Sequence, residues 1–319
     1  TYNLNLPSIT AGAVLVSTTV TRRVTNVGAT AATYNATASV PNFTTVVTPS
    51  SLTLGPGETK SFTVKLTPPG SAVTNVWNFG SLTWTDGSHI VRSPVQARVG
   101  VPIVAPGSQS GLTTSGSRLF TVKTGFNGRM GVKKAGLKDV TLGDWVTLTA
   151  GGLNANALKL VCQAGADTAS TKVYNFSVPA GTAVFRAALR QADTSDVSDD
   201  NDMILIGPGG VSVYSGNDGS NEAVQLINPA AGNYRVCVTA YGSSKPTLSH
   251  RLSSWIVTTT DAGGRFNALV PSTVYAGSTA TVGMSWSGLN LGGRYVGAAQ
   301  WLDASGNVQA TTTIREIGR

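Results

Sequence analysis

Along this chain, apolar residues alternate with polar ones more often than they recur at helical spacing. TTVTRRVTNV (18–27) places Val20, Arg22, Val24 and Asn26 on one side and Thr19, Thr21, Arg23, Thr25 and Val27 on the other. TKSFTVKLTP (59–68) turns Phe62, Val64 and Leu66 one way and Ser61, Thr63 and Lys65 the other. A period of two belongs to a strand with one buried and one wet face, so both runs predict half-buried antiparallel strands. EAVQLINPAAGNYRVCVTAYG (222–242) predicts a strand, a Pro-Gly turn and a second strand. Val224 and Leu226 then face Tyr234, Val236 and Val238. GPGE, TDGS, GPGG, GNDG and DASGN supply turn chemistry between such runs. The fold class expected is all-β, with sandwich-type domains of antiparallel strands in series.

The punctuation sets the expected boundaries. VGVPIVAPGSQSG (99–111) and TTTDAGGR (258–265) read as linkers. They divide the chain into units of about 1–100, 101–260 and 261–319. The last is short for a core of its own, so it is expected to dock on its neighbour. TPSSLTLGPGETKSFTVKLT (48–67) and VPSTVYAGSTATVGMSWSG (270–288) echo each other: Pro-Ser, a short apolar segment, a Gly turn and an alternating strand.

Composition agrees with strands. Charged residues are 12% of the 319, the apolar fraction is 41%, and Ser, Thr, Gly, Ala and Val dominate. There is little helix signal. No apolar run approaches the roughly 18 residues that span a membrane. The chain opens on Thr1 without a leader-like segment, which reads as a processed or excised piece. Cys162 and Cys237 fit one disulfide in an oxidising compartment, or else two buried free thiols.

The net charge of +8 is uneven. RLFTVKTGFNGRMGVKKAGLK (118–138) holds Arg118, Lys123, Arg129, Lys133, Lys134 and Lys138 and no acid. It is a candidate patch for an anionic partner, set against a plain solvated face. No nucleic-acid motif accompanies it, and no nucleic acid is expected as a partner.

DTSDVSDDNDM (193–203) is the opposite case, with Asp193, Asp196, Asp199, Asp200 and Asp202 close together. Repulsion among them is costly unless a cation sits between them, and calcium takes oxygens from loops. Asp196, Asp199, Asp200 and Asp202 are therefore candidate calcium ligands, with calcium the one cofactor considered, and a solvated loop is the competing reading. The twelve-residue helix–loop–helix calcium pattern is absent. DDNDMIL is expected to begin a strand, with Asp200 and Asp202 on one side. A hydrolase needs a positioned nucleophile and base. His89 and His250 both lie in strand-like sequence away from any Gly-x-Ser-x-Gly elbow, and both read as structural. No catalytic residue is assigned. Asn35, Asn42 and Asn175 begin formal glycosylation sequons, as chance allows in a Thr-rich chain.

VTRRVTNVG (20–28), TPSSLTLGPGETKSFTVKLT (48–67) and FGSLTWTDGSHIVRSPV (79–95) together resemble the fibronectin-III-like domain that follows the catalytic domain of subtilisin-like serine proteases. YNLNLPSI (2–9) resembles that domain's leading strand. FTVKTGFNGRMGV (120–132) resembles a segment that precedes the pre-peptidase C-terminal-like sandwich of large secreted bacterial subtilases, and YNFSVPAGT (174–182), DDNDMILIGPGG (199–210) and NPAAGNYRVCVTAYG (228–242) resemble that sandwich itself. In that sandwich an Asp-x-Asp opens a central strand. Asp200 and Asp202 match it, with Asn201 where an apolar residue is usual. Residues 276–307 are similar to the short β module that ends such proteases.

The family's catalytic Asp, its His-Gly-Thr and its Gly-Thr-Ser-Met-Ala elements do not occur here, so no triad residue carries over. The resemblance implies a non-catalytic accessory region of a secreted, extracellular serine endopeptidase, with the parent's catalytic domain as partner. Such a region would support stability, substrate presentation or assembly. The alternatives are a module binding collagen, cell-wall material or glycan through Tyr214, Tyr241, Trp255 and the basic run, and a purely structural spacer at the cell surface.

Overall fold

A computed structural model describes residues 3–69, 73–111, 113–263 and 265–317. Tyr2 of the leading segment and Gly264 of the second linker lie outside the described residues. The protein is all-β, as the alternation predicts, with one short α-helix.

The first unit contains β1 (Ile9–Val14), β2 (Thr18–Thr25), β3 (Ala32–Ser39), β4 (Thr44–Thr48), β5 (Ser51–Leu54), β6 (Thr59–Thr67), β7 (Trp77–Thr85) and β8 (Ile90–Val99). They form a sheet β1-β8-β7-β3-β5 facing a sheet β2-β6-β4. Val20, Phe62, Val64, Leu66, Leu82, Trp84 and Val95 fill the space between. Arg22, predicted on the inner side with Val20, is buried there. It is tolerated because its guanidinium donates to the carbonyls of Leu6, Ser8 and Thr21.

The remaining strands are β9 (Ile103–Val104), β10 (Ser108–Gly111), β11 (Gly116–Thr124), β12 (Gly131–Asp139), β13 (Thr141–Leu142), β14 (Val146–Thr149), β15 (Thr171–Val178), β16 (Thr182–Ala188), β17 (Asp200–Ile206), β18 (Ser212–Ser215), β19 (Ala223–Ile227), β20 (Gly232–Gly242), β21 (Thr247–His250), β22 (Ser253–Thr258), β23 (Asn267–Leu269), β24 (Thr279–Trp286), β25 (Arg294–Leu302) and β26 (Val308–Ile317). Helix α1 (Ala155–Ala164) lies between β14 and β15.

Here the structure departs from three units in series. β10, β11 and β12 pair with β26, β24 and β25, giving sheets β23-β24-β11-β9 and β10-β26-β25-β12 around one core that includes Ile103, Met130, Val282, Trp286 and Trp301. Residues 261–319 are thus not a module of their own, and the unit expected to end at 260 is not closed. A second sandwich, β13-β22-β16-β19 against β15-β20-β17-β18, is inserted between the halves of the first. Turn residues mark where a strand ends but carry no information about its partner, so two halves far apart in sequence read as separate units.

The nested sandwiches share a third core, in which Ala135, Val296 and Ala298 meet Ala183, Val184, Ala188, Trp255 and Val257. Four sheets are therefore stacked, and the two inner ones are covered on both faces. β16 and β25 are buried almost throughout rather than at alternate positions. Small residues such as Ala183, Ala298 and Ala299 let these layers approach.

Candidate functional site

The acidic stretch divides as the chain enters β17. Asp193 lies in the turn before the strand, is buried, and grips the guanidinium of Arg294, with Nη2 2.9 Å from Oδ1 and Nη1 on Oδ2. Asp196 takes Lys245 Nζ at 2.6 Å and the backbone N–H of Ser198 at 2.9 Å. These contacts, Lys245 first, hold its carboxyl well below the usual range. Asp199 has no exposed surface. Its Oδ2 accepts from Ser195 Oγ at 2.7 Å and from the Asp196 N–H at 2.9 Å, and its Oδ1 from Ser243 Oγ at 2.8 Å.

Asp200 and Asp202 open β17 and, two residues apart, share one of its faces. Tyr214 donates to Asp202 Oδ2 at 2.6 Å, and the Gly219 N–H to Asp200 Oδ1 at 3.1 Å. Burial is the main cause that raises both carboxyl groups above their ordinary value, and neighbouring carboxylates add to it. Glu222, which the sequence did not single out, is buried nearby and accepts from the Asn217 N–H at 2.7 Å.

The expected calcium ligands are therefore not gathered at one point. Asp196 and Asp199 are each turned to their own donors, and only Asp200 and Asp202 face the same way. Among the described residues no three His, Cys, Asp or Glu side chains converge as a metal site. The aspartates take part in a network of local hydrogen bonds where the chain enters β17.

The basic run does not form one patch either. Arg118 and Lys123 lie on β11 in one sheet, while Lys133, Lys134 and Lys138 lie on β12 in the facing one. Arg129 sits exposed between them. Lys134 donates to the Phe266 carbonyl at 2.9 Å, Lys138 to that of Ile256 at 2.8 Å and Arg118 to that of Ser110 at 3.4 Å, so three of the six serve as ties between segments.

Of the candidate aromatics, Trp255 is buried and donates to the Arg294 carbonyl at 3.1 Å, and Tyr214 is committed to Asp202. Tyr241 is half exposed. His89 is exposed, with Nδ1 2.9 Å from Asp86 Oδ2. His250 is fully buried, with Nε2 2.9 Å from the Tyr174 hydroxyl, and burial pushes its pKa down to about 4. Cys162 on α1 and Cys237 on β20 form a disulfide that pins the helix to the outermost sheet.

Sequence reasoning missed a cleft of about 420 Å³ at the splayed edge between the two inner sheets. Arg186, Arg190, Arg294 and Arg315 line it, with Trp255 and Tyr295 among its apolar walls. These arginines come from distant parts of the sequence. Only the sheet register gathers them: Arg186 lies opposite Trp255, and Arg315 opposite Val296.

Residues 3–97 match the fibronectin type-III domain model. A subtilisin-like protease of Glycine max is 42% identical over 99 residues, which are 30% of this chain and 12% of that protein. The subtilisin-like proteases SBT3.1 and SBT3.9 of Arabidopsis thaliana are 39% and 43% identical over 98 residues, covering 30% of this chain and 13% of each. The matches thus span about one eighth of these relatives. The secreted serine protease VesC from Vibrio cholerae overlaps 79% of this chain and 48% of its own at 12% identity, with a TM-score of 0.23. That likeness is too weak to support a statement about fold or function.

Proposed function

We propose that the chain is a non-catalytic accessory region of a secreted subtilisin-like serine endopeptidase, and that it supports the stability of the parent's catalytic domain or presents polypeptide substrate to it. The observation that carries the reading is the leading domain, a fibronectin type-III sandwich about 40% identical to that of plant subtilisin-like proteases over nearly its whole length. The nested second sandwich, whose central strand opens on Asp200 and Asp202, supports the likeness to a pre-peptidase C-terminal-like domain. The disulfide between Cys162 and Cys237 suits an extracellular setting. Among the described residues no helix is long and apolar enough to cross a membrane.

The side chains named as alternatives favour this reading over polymer binding. The basic run is split between two sheets, and Trp255 is core. The test compares the parent enzyme with and without residues 1–319. Loss of thermal stability, or of cleavage of folded protein substrates, is expected on removal. A truncated enzyme that folds, melts and cleaves as before sinks the proposal.

A further inference from the structure

The arginine cleft has no role in the reading above. Residues directly opposite in a sheet share a face. Arg186 thus lies with Trp255, and Arg315 with Val296, on the faces that meet between the inner sheets. Toward β12 this interface is closed by alanines and valines. Toward β10 and β19 the sheets part, and the arginines line the gap.

The charge there is unevenly balanced. Arg294 is satisfied by Asp193. Arg186 reaches only the neutral Gln225 amide oxygen, at 3.3 Å. Among the described residues the side chains of Arg190 and Arg315 have no hydrogen-bond or ion-pair partner. Glu222 also lines the cleft, but Ser215 and Asn217 hold its carboxylate. Burial, with Arg315 as a second and like-charged cause, lowers the Arg186 pKa to about 10. Grouping guanidinium groups in a partly dry cleft is costly without an anion among them.

The cleft also offers backbone. β10 and β19 are each the outermost strand of their sheet, and Ser110, Gly111 and Ala223 line the opening. An outermost strand has no strand partner along one side, and an extended peptide can add to it in exchange for weaker side-chain contacts; here those contacts are Ser215 Oγ on the Ala223 N–H at 3.3 Å and Arg118 on the Ser110 carbonyl at 3.4 Å. Guanidinium groups match carboxylates through paired hydrogen bonds.

We propose that this cleft binds an extended acidic peptide segment, with its carboxylates held by Arg186, Arg190 and Arg315 and its main chain laid along the β10 or β19 edge. A polypeptide is favoured over an anionic polysaccharide because strand edges with no neighbouring strand accompany the arginines, while the Trp255 ring is buried and has no open face for a sugar. The inference stands on this cleft alone and not on the accessory-region reading, and it is tested on this chain without a protease.

The experiment is fluorescence anisotropy of the 319-residue chain with a short labelled peptide carrying Glu at alternate positions, and with its Gln counterpart. The Glu peptide is expected to bind more tightly, and to weaken as salt is raised. Arg190→Gln and Arg315→Gln should each weaken it about tenfold with no change in melting temperature. Lys133→Gln, outside the cleft, should leave it unchanged. Arg315→Glu should shift preference toward a peptide with Lys in place of Glu, which separates a direct contact from a folding defect. Equal affinity for the Glu and Gln peptides, or indifference to both glutamine variants, overturns the proposal. So does retention of a sulfated polysaccharide by a chain that binds neither peptide.

Discussion

The leading domain and the nested pair behind it are built from the same kind of strand but are buried differently. In the leading domain β3 and β4 alternate strictly between half-buried and exposed positions, because each sheet has a single neighbour. In the nested pair β16 and β25 are covered on both faces and show no such alternation. A stack of four sheets needs small residues where layers meet and polar ties where they part. A two-sheet sandwich has a single such interface to fill. The leading domain closes by pairing Ile9 with Val95, while the stack reaches further along the chain, pairing Gly116 with Trp286.

Breaking the disulfide tests that contrast most strongly. Cys162 and Cys237 are 75 residues apart, and closing such a loop is worth about 4 to 5 kcal/mol in the chain-entropy account. Cys162→Ala with Cys237→Ala should lower the calorimetric transition of the nested pair and leave that of residues 3–97 in place. A single transition that moves as a whole means the two regions unfold together, and the contrast fails.

The next link is Asp193 to Arg294, which ties the inserted sandwich to the one around it. Both side chains are largely buried, so removing the carboxylate leaves a charge without its partner. Asp193→Ala is expected to cost about 3 to 4 kcal/mol, read from urea unfolding of the same transition. Arg294→Met in the same chain should recover part of that loss. An Asp193→Ala protein as stable as the parent shows that the layers are held by apolar packing alone.

These links also mark what could be read in the sequence. Val20, Phe62, Val64 and Leu66 were placed by alternation because their sheets are wet on one face. DDNDMIL was placed as a strand start, and Val224 does face Tyr234, Val236 and Val238 across the inserted core. Partnership was not legible. Nothing local distinguishes β11, which pairs with β24 more than 150 residues later, from a strand that pairs with its neighbour.

Helix α1 had a readable signal that went unused. Asn154 caps it by accepting from the Ala157 N–H at 3.0 Å, and Gly165 ends it at a φ of 77°. The arginine cleft had none, since its members converge only through register.

Acid should separate the two regions next. Burial holds His250 neutral, with its pKa lowered from 6.5 to about 4. Below pH 6.5 the unfolded chain takes up a proton that the folded chain refuses. Stability present above pH 6.5 is therefore lost as pH falls toward about 4, by about 2 to 3 kcal/mol. Asp200 and Asp202 act in the opposite sense, because their raised values let the folded chain bind protons first just above the ordinary carboxylate range. They offset part of the loss at the acid end of the window. His250→Gln should flatten the pH dependence of the nested transition. The leading domain holds no buried histidine among the described residues, and its transition is expected to move less between pH 6.5 and 4. An equal acid shift in both transitions removes His250 as the cause.

The smallest effect is expected from calcium, and it decides what the acidic stretch is for. Five aspartates within eleven residues invite a cation in the sequence, but four of them meet a side-chain donor of their own. Asp193 uses Arg294 and Asp196 uses Lys245. Asp199 uses Ser195, Ser243 and a backbone N–H. Asp202 uses the Tyr214 hydroxyl. A cation binding here would have to displace these donors, and the free energy of doing so opposes binding. Thermal melts in calcium and in chelator are therefore expected to coincide for both transitions. Stabilisation by calcium confined to the nested transition, and abolished by Asp200→Asn with Asp202→Asn, would instead make the face shared by those two residues a binding site and add a cation to the links that hold the stack.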